Sequence, residues 1–225
     1  MTNLLLIDLD GTARTAISGQ FCPTYPKDQV LIPETENLCI QLKDKGWTIA
    51  AVTNQGGCEA IAPATGKPYK THRQAVAECK YFLDLAPWCD RVYMCPNGKM
   101  SNRDEVYRVT RGSWLWPFQK YSVIHEHNDE GDHPYFQTQG YRKPKPGMLE
   151  LAIRDEKESE YAEAIDLGIR AKDIPNVNAW TLMVGDMESD RMAARNAGVF
   201  YLQVDCFQLE TVESLNRIVE QSAVS

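Results

Sequence analysis

The chain has 225 residues, 43% of them hydrophobic and 24% charged, and a formal net charge of −7 at pH 7. That length suits one domain of fair size with a sizeable core, and the acidic balance disfavours a wholly electrostatic nucleic-acid binder while leaving room for a local basic patch. No apolar run reaches the roughly 20 residues needed to cross a membrane. The seven cysteines are odd in number and scattered, unlike a disulfide framework. With no basic and apolar leader after Met1, a reducing cytoplasm is expected.

The chain opens on the apolar run Leu4-Leu5-Leu6-Ile7, which leads into Asp8-Leu9-Asp10-Gly11-Thr12. In a strand, residues i and i+2 share a face, so Asp8 and Asp10 are expected side by side, repelling unless a cation or proton lies between them. A bound metal follows from that arrangement. The plain alternative is an Asp-Gly turn whose carboxylates only form the turn and cap a helix.

A polar, proline-containing stretch over 14–33 precedes a helix predicted for 34–45, carrying Leu38, Ile40 and Leu42 and stopped by Gly46. Residues 48–53 read as a strand buried on both faces that breaks at Asn54-Gln55-Gly56-Gly57. A helix over 72–85 and a strand over 91–95 follow. From 96 to 141 tryptophans, prolines, glycines and mixed charge show no sustained period, which predicts an irregular insertion with its own compact structure.

Regularity returns with a long charged helix over 148–167, most of whose Glu and Lys residues coat a solvated face. A buried strand over 179–184 runs into Gly185-Asp186, a helix over 189–196 is closed by Gly198, a strand covers 200–202, and a last helix covers 209–221. Strands alternating with helices predict an α/β fold: three layers, Rossmann-like, with a central parallel sheet whose ligands bind at the carboxyl ends of the strands. Asp8 and Asp10, Thr53 and Asp186 each end a separate apolar strand, so one site could collect them.

In this order the residues resemble the haloacid dehalogenase (HAD) superfamily. Asp8-Leu9-Asp10-Gly11-Thr12 matches its first motif, Thr53 the second, Lys143 the third, and Gly185-Asp186 with Asp190 the fourth. The resemblance runs from residue 3 to about 204, omitting most of the insertion, and implies a single HAD-like hydrolase domain over 1–225. Val52-Thr53-Asn54-Gln55-Gly56-Gly57 and Arg142-Lys143-Pro144-Lys145-Pro146-Gly147-Met148 are similar to the capless branch with histidinol-phosphate and heptose-bisphosphate phosphatases; polynucleotide 3′-phosphatase domains are relatives.

That resemblance implies a Mg²⁺-dependent phosphomonoesterase. Asp8 would be the nucleophile, forming an aspartyl-phosphate, and Asp10 the acid and base. Thr53 and Lys143 would hold the phosphoryl oxygens. The Mg²⁺ ligands would be Asp8, Asp10 through its backbone carbonyl, and Asp186, with Asp190 placing the metal's waters or Lys143. Asn54, Arg142 and Arg14 are expected at the substrate. Each has a plainer competitor: Thr53 could satisfy a strand end, Asp190 could cap its helix, and Lys143 could lie on the surface, with Lys145 in its place.

The sequence departs from that branch at its zinc loop, where Cys95 is kept but Asn97, Gln139 and Tyr141 occupy the other ligand positions; the family's zinc tetrad is not expected. His125, His127 and His133 lie in the insertion among acids and could hold another metal, or form an acidic solvated loop. Arg103, Arg108, Arg111 and Lys120 alternate with Tyr107, Trp114, Trp116, Phe118 and Tyr121, a mixture that can stack bases or form a small apolar cluster with a basic rim. The expected substrate is a small phosphorylated metabolite, a sugar or amino-alcohol phosphate. A 3′-phosphate on a nucleic-acid end is the alternative, and an inactive phosphoryl-ligand binding protein a third reading.

Overall fold

The structure, a computed structural model, describes residues 3–112, 120–127, 140–167 and 180–222. Its centre is a seven-stranded sheet. The first strand, β1 (Leu4–Ile7), lies between β10 (Thr181–Gly185) and β4 (Thr48–Asn54), parallel to both. Beyond β10 lies β11 (Phe200–Gln203), and beyond β4 lies β7 (Arg91–Cys95), again parallel. Such central strands are covered on both faces, and the four residues of β1 are all buried.

The pleat sorts their side chains between two cores. Leu5 and Ile7 of β1, with Ile49 and Ala51 of β4, face one side. There they meet α1 (Pro33–Asp44) and α2 (His72–Leu85) through Leu38, Leu42, Cys79 and Phe82. Val204 and Phe207 of α5 (Val204–Phe207) and Val212 and Leu215 of α6 (Val212–Ser222) complete that layer. Leu4 and Leu6, Ala50 and Val52 face the other side, against Met148, Leu149 and Ala152 of α3 (Gly147–Asp166) and Ala193 and Ala194 of α4 (Glu188–Ala197). Three layers result, as expected. A fully buried Leu contributes about 1.5–3 kcal/mol relative to an exposed one, so β1 alone anchors both cores.

Two short hairpins flank the sheet: β2 (Arg14–Thr15) with β3 (Val30–Leu31), and β5 (Ile61–Ala62) with β6 (Lys67–Pro68). The predicted last helix is present as α6, and α5, a single turn that the sequence did not announce, precedes it across the turn at 208–211. No described helix is long and apolar enough to cross a membrane.

The insertion corrects the expectation most. Instead of an irregular unit, its described part forms β8 (Glu105–Arg111) and β9 (Tyr121–His127), two antiparallel strands that extend the main sheet beyond β7. Alternation was hidden because β9 is half-exposed and its apolar residues Val123 and Ile124 are adjacent. The basic residues here fasten the hairpin to the body. Arg108 pairs with Asp155 of α3 at 2.8 Å and with Glu126, and Arg111 donates to the carbonyls of Leu83, Ala86 and Cys89. Trp114, Trp116, Phe118 and His133 lie outside the described residues.

Candidate active site

The polar groups gather at the carboxyl ends of β1, β4 and β10. β1 stops at Ile7, so Asp8 and Asp10 lie beyond the strand and do not share a strand face, contrary to expectation. The Asp8 N–H donates to the Val184 carbonyl at 2.9 Å, which holds it against β10. The chain then turns: the N–H groups of Ala13 and Arg14 donate to the Leu9 carbonyl.

This turn sends the two carboxylates into different surroundings. Asp8 joins Asp186 and Asp190 in a group in which one carboxylate oxygen from each lies within 4.8 Å of the other two. Asp10 is held elsewhere, one oxygen accepting from Arg14 Nε at 2.8 Å and the other from Gln55 Nε2 at 2.8 Å. Its carboxylate lies outside that acidic group, so only its backbone could serve there.

Lys143 enters the group from the turn before α3. Its Nζ lies 2.5 Å from Asp8 Oδ1 and 2.6 Å from Asp190 Oδ1, and donates to the Val52 carbonyl at 2.9 Å. This settles which lysine meets Asp8: Lys143 rather than Lys145. Burial pulls the Lys143 ammonium down, but Asp8 and Asp190 outweigh it and hold the pKa above the ordinary value. Asp190 does two things at once, since its other oxygen accepts from the Met187 N–H at 3.1 Å and so caps α4.

Three carboxylates face one ammonium, and the imbalance falls on Asp8. Burial raises its pKa to about 7, against the pull of Lys143 and with the help of Asp190 and Asp10. Asp186 is also raised by burial and by Asp190. A desolvated set of oxygen donors with surplus negative charge suits a hard divalent cation. Asp8, Asp186 and Asp190 thus fit the expected metal.

Glycine makes this crowding possible. Gly11 has φ +89°, and a β-carbon there would lie 2.7 Å from Asp186 Oδ2; one on Gly185 would lie 2.5 Å from Asp190 Oδ2. Both glycines of the sequence motifs are therefore clearances for the two acids that follow β10.

Thr53, at 1% exposure, is the penultimate residue of β4 at the site floor, with its hydroxyl 3.1 Å from Gln55 Nε2. Asn54 was expected at the substrate. Its amide is instead paired with the Lys143 peptide, donating to the Lys143 carbonyl at 3.0 Å and accepting from the Lys143 N–H at 3.1 Å. Although it lines the cleft, its main contacts fix the backbone that presents Lys143.

Arg14 overturns its expected place at the substrate. It is fully buried, bonded to Asp10 and to Gln29 Oε1 at 2.6 Å, and absent from the cleft wall. Burial lowers its pKa and Asp10 more than restores it. Arg142 does line the cleft, with Nη1 donating to the Asn97 carbonyl at 2.5 Å. The cleft itself is about 760 Å³ and also carries Phe21, Lys99, Arg103 and Lys145 on its walls.

Sequence reasoning missed three residues behind Asp10. Gln55 Oε1 accepts from Lys70 Nζ at 3.1 Å, and Lys70 is ion-paired to Glu78 at 2.7 Å, both buried. Burial raises the Glu78 carboxyl against the pull of Lys70. Since Lys70 can only donate, it fixes the Gln55 amide with its NH₂ toward Asp10. The position of Gln55 just after Thr53 was a usable signal; nothing in the sequence tied Lys70 and Glu78 to the site.

Residues 3–204 match the polynucleotide kinase 3 phosphatase family. The chain belongs to that family, within the HAD-like phosphatase superfamily. Among curated relatives, the D-glycero-beta-D-manno-heptose-1,7-bisphosphate 7-phosphatase of Haemophilus ducreyi (strain 35000HP / ATCC 700724) is 31% identical over 160 residues, covering 71% of this chain. The match spans 60% of that protein's length. Among solved structures, the D,D-heptose 1.7-bisphosphate phosphatase from B. bronchiseptica, complexed with magnesium and phosphate, aligns with a TM-score of 0.51 at 20% identity. The alignment covers 89% of this chain and 79% of that one, and establishes the HAD-like fold.

Proposed function

We propose that this family member is a Mg²⁺-dependent phosphomonoesterase acting on a small phosphorylated metabolite, a sugar phosphate or amino-alcohol phosphate, through an aspartyl-phosphate. The observation that carries the reading is Asp8: a buried carboxylate at the cleft floor, 2.5 Å from a buried lysine, beside two further acids suited to a cation. The Mg²⁺ complex of the B. bronchiseptica protein and the naming of both relatives as phosphatases support it.

An Asp8 oxygen attacks phosphorus, and the bond from phosphorus to the leaving alkoxide breaks as Asp10 gives that alkoxide a proton. Asp10 then takes a proton from water, the water oxygen attacks phosphorus, and the bond to Asp8 breaks, regenerating the carboxylate. Arg14 Nε and Gln55 Nε2, each 2.8 Å from an Asp10 oxygen, hold that carboxyl in place for both transfers. Thr53 Oγ1 and Lys143 Nζ hold the non-bridging oxygens. Asp8, Asp186 and the Asp10 backbone, with Asp190 beside them, would hold the Mg²⁺, which would supply positive charge against the phosphoryl oxygens.

A second reading keeps this chemistry and places it on a 3′-phosphate at a nucleic-acid end. The family match supports it, as do Lys99, Arg103, Arg142 and Lys145 on the cleft wall beside Phe21, which is 79% exposed. One panel separates the two: sugar, amino-alcohol and nucleotide phosphates, 3′-phosphorylated oligonucleotides and a chromogenic ester, each with Mg²⁺. The metabolite reading expects one small ester to exceed the oligonucleotide in kcat/KM. No turnover of any ester, or an Asp8→Asn variant with full activity, defeats the mechanism.

A further inference from the structure

A second group of ligand side chains lies on the outer hairpin and shares no residue with the carboxylate group around Asp8. In the β8–β9 register Glu105 faces His127 and Tyr107 faces His125, so the pleat puts all four on one side of the sheet. Tyr107 packs against the core beneath and stacks on the His125 ring, centroids 4.0 Å apart and planes 7° from parallel. That stack, together with the Tyr107 hydroxyl 3.0 Å from His72 Nδ1 on α2, orients the imidazole from behind.

The donor atoms converge. Glu105 Oε2 lies 3.6 Å from His125 Nε2, Glu105 Oε1 lies 3.5 Å from His127 Nδ1, and the group's ligand atoms all fall within 4.8 Å of one another. These separations exceed the usual 2.7–3.2 Å of an N–H···O bond. Each histidine meets a different oxygen of the carboxylate, at a separation close to the roughly 3.4 Å between ligands held about 2.1 Å from zinc. Glu105 is 7% exposed, and its Oε2 is buried without a hydrogen-bond partner. A buried carboxylate oxygen left unpaired is destabilising unless something binds it.

We propose that Glu105, His125 and His127 form a binding site for a transition-metal dication, zinc above all. Two imidazoles and one carboxylate are a common zinc donor set. The two histidines are solvent-accessible, with side chains 32% and 48% exposed, which leaves a fourth position for water. The ion clamps the hairpin at the carboxyl edge of the sheet. From there the Glu105 N–H reaches Asn97 Oδ1 at 2.7 Å, and the Asn97 carbonyl holds Arg142 of the cleft.

The test is zinc binding by the full chain carrying no histidine tag, measured by equilibrium dialysis and metal analysis with millimolar Mg²⁺ present to occupy the Asp8 group. One equivalent of zinc is expected. The expected result for His125→Asn/His127→Asn is loss of that equivalent, and for Glu105→Gln an affinity reduced beyond the roughly 10–100-fold typical of outer-shell changes. Co²⁺ in place of zinc should give visible absorption that the double variant lacks. Circular dichroism of the metal-free proteins separates ligand loss from unfolding; should Glu105→Gln fail to fold, the exposed His127→Asn decides alone. No stoichiometric zinc in the wild type, or an equivalent that survives in the folded double variant, overturns the site.

Discussion

Gly11 and Asp186 approach so closely that a β-carbon on the first would lie 2.7 Å from Oδ2 of the second. The turn after β1 and the loop after β10 can share one site only because residue 11 carries no side chain. Its φ of +89° adds a backbone reason to the steric one.

Gly11→Ala should therefore harm the site more than the surrounding fold. Strain of this kind is about 1–3 kcal/mol, read as a lowered urea midpoint. The Mg²⁺ concentration for half-maximal activity should rise as Asp186 is pushed away. A variant with wild-type stability and wild-type Mg²⁺ response would contradict the crowding argument.

Asp10 and Arg14 should part company in their effects. Asp10→Asn keeps the shape of the side chain and removes proton transfer, so kcat should fall by about 10²–10⁴-fold with KM little changed. Arg14→Met instead leaves Asp10 facing a buried gap. Breaking a buried pair costs about 3–5 kcal/mol, visible in chemical denaturation without any substrate. If Arg14→Met raised KM alone and left stability intact, Arg14 would be a substrate contact after all.

Lys70 acts at two removes from the reacting atoms, through Gln55. Lys70→Met strands Glu78 in the core and should destabilise by about 3–5 kcal/mol. Adding Glu78→Leu should recover most of that loss, because a well-packed apolar pair can replace a buried ion pair. It should not recover kcat, since the Gln55 amide loses the donor that orients it toward Asp10. Recovery of both together would reduce Lys70 to a purely structural role.

Asp28 sets an acid limit on stability. It is fully buried and accepts hydrogen bonds from the N–H of Thr24, the hydroxyl and N–H of Ser18, and the hydroxyl of Thr24, which lower its pKa from 3.8 to about 2. A carboxyl depressed in the folded state contributes stability above its ordinary pKa and loses it as pH falls through the folded value. Melting temperature should thus drop between pH 3.8 and about 2, and Asp28→Asn should flatten that part of the curve. An unchanged acid limb in the variant would assign the drop to other groups.

Local patterning sufficed for much of this chain. Largely apolar runs of four to seven residues leading to Asp8, Asn54 and Gly185 specify central strands, because strands covered on both faces carry few polar residues and none charged until they leave the sheet. The glycines and aspartates beyond those runs were legible for the same reason: a buried charge at a strand end is costly without a partner. The hairpin β8–β9 was not legible. An edge strand needs only one apolar face, and the residues of β9 alternate too weakly to announce it.

What the tertiary structure alone decided was the partner of each charged group. Asp8 and Asp10 are two residues apart, yet one faces Lys143, distant by 135 positions, and the other Arg14 and Gln55. Arg14 adjoins a motif in sequence but points into the core. Glu105 joins His125 and His127 only across a strand register. Periodicity reports which face a residue presents, since that depends on its own backbone. Which charge neutralises it depends on how the strands are ordered in the sheet, and no local pattern carries that order.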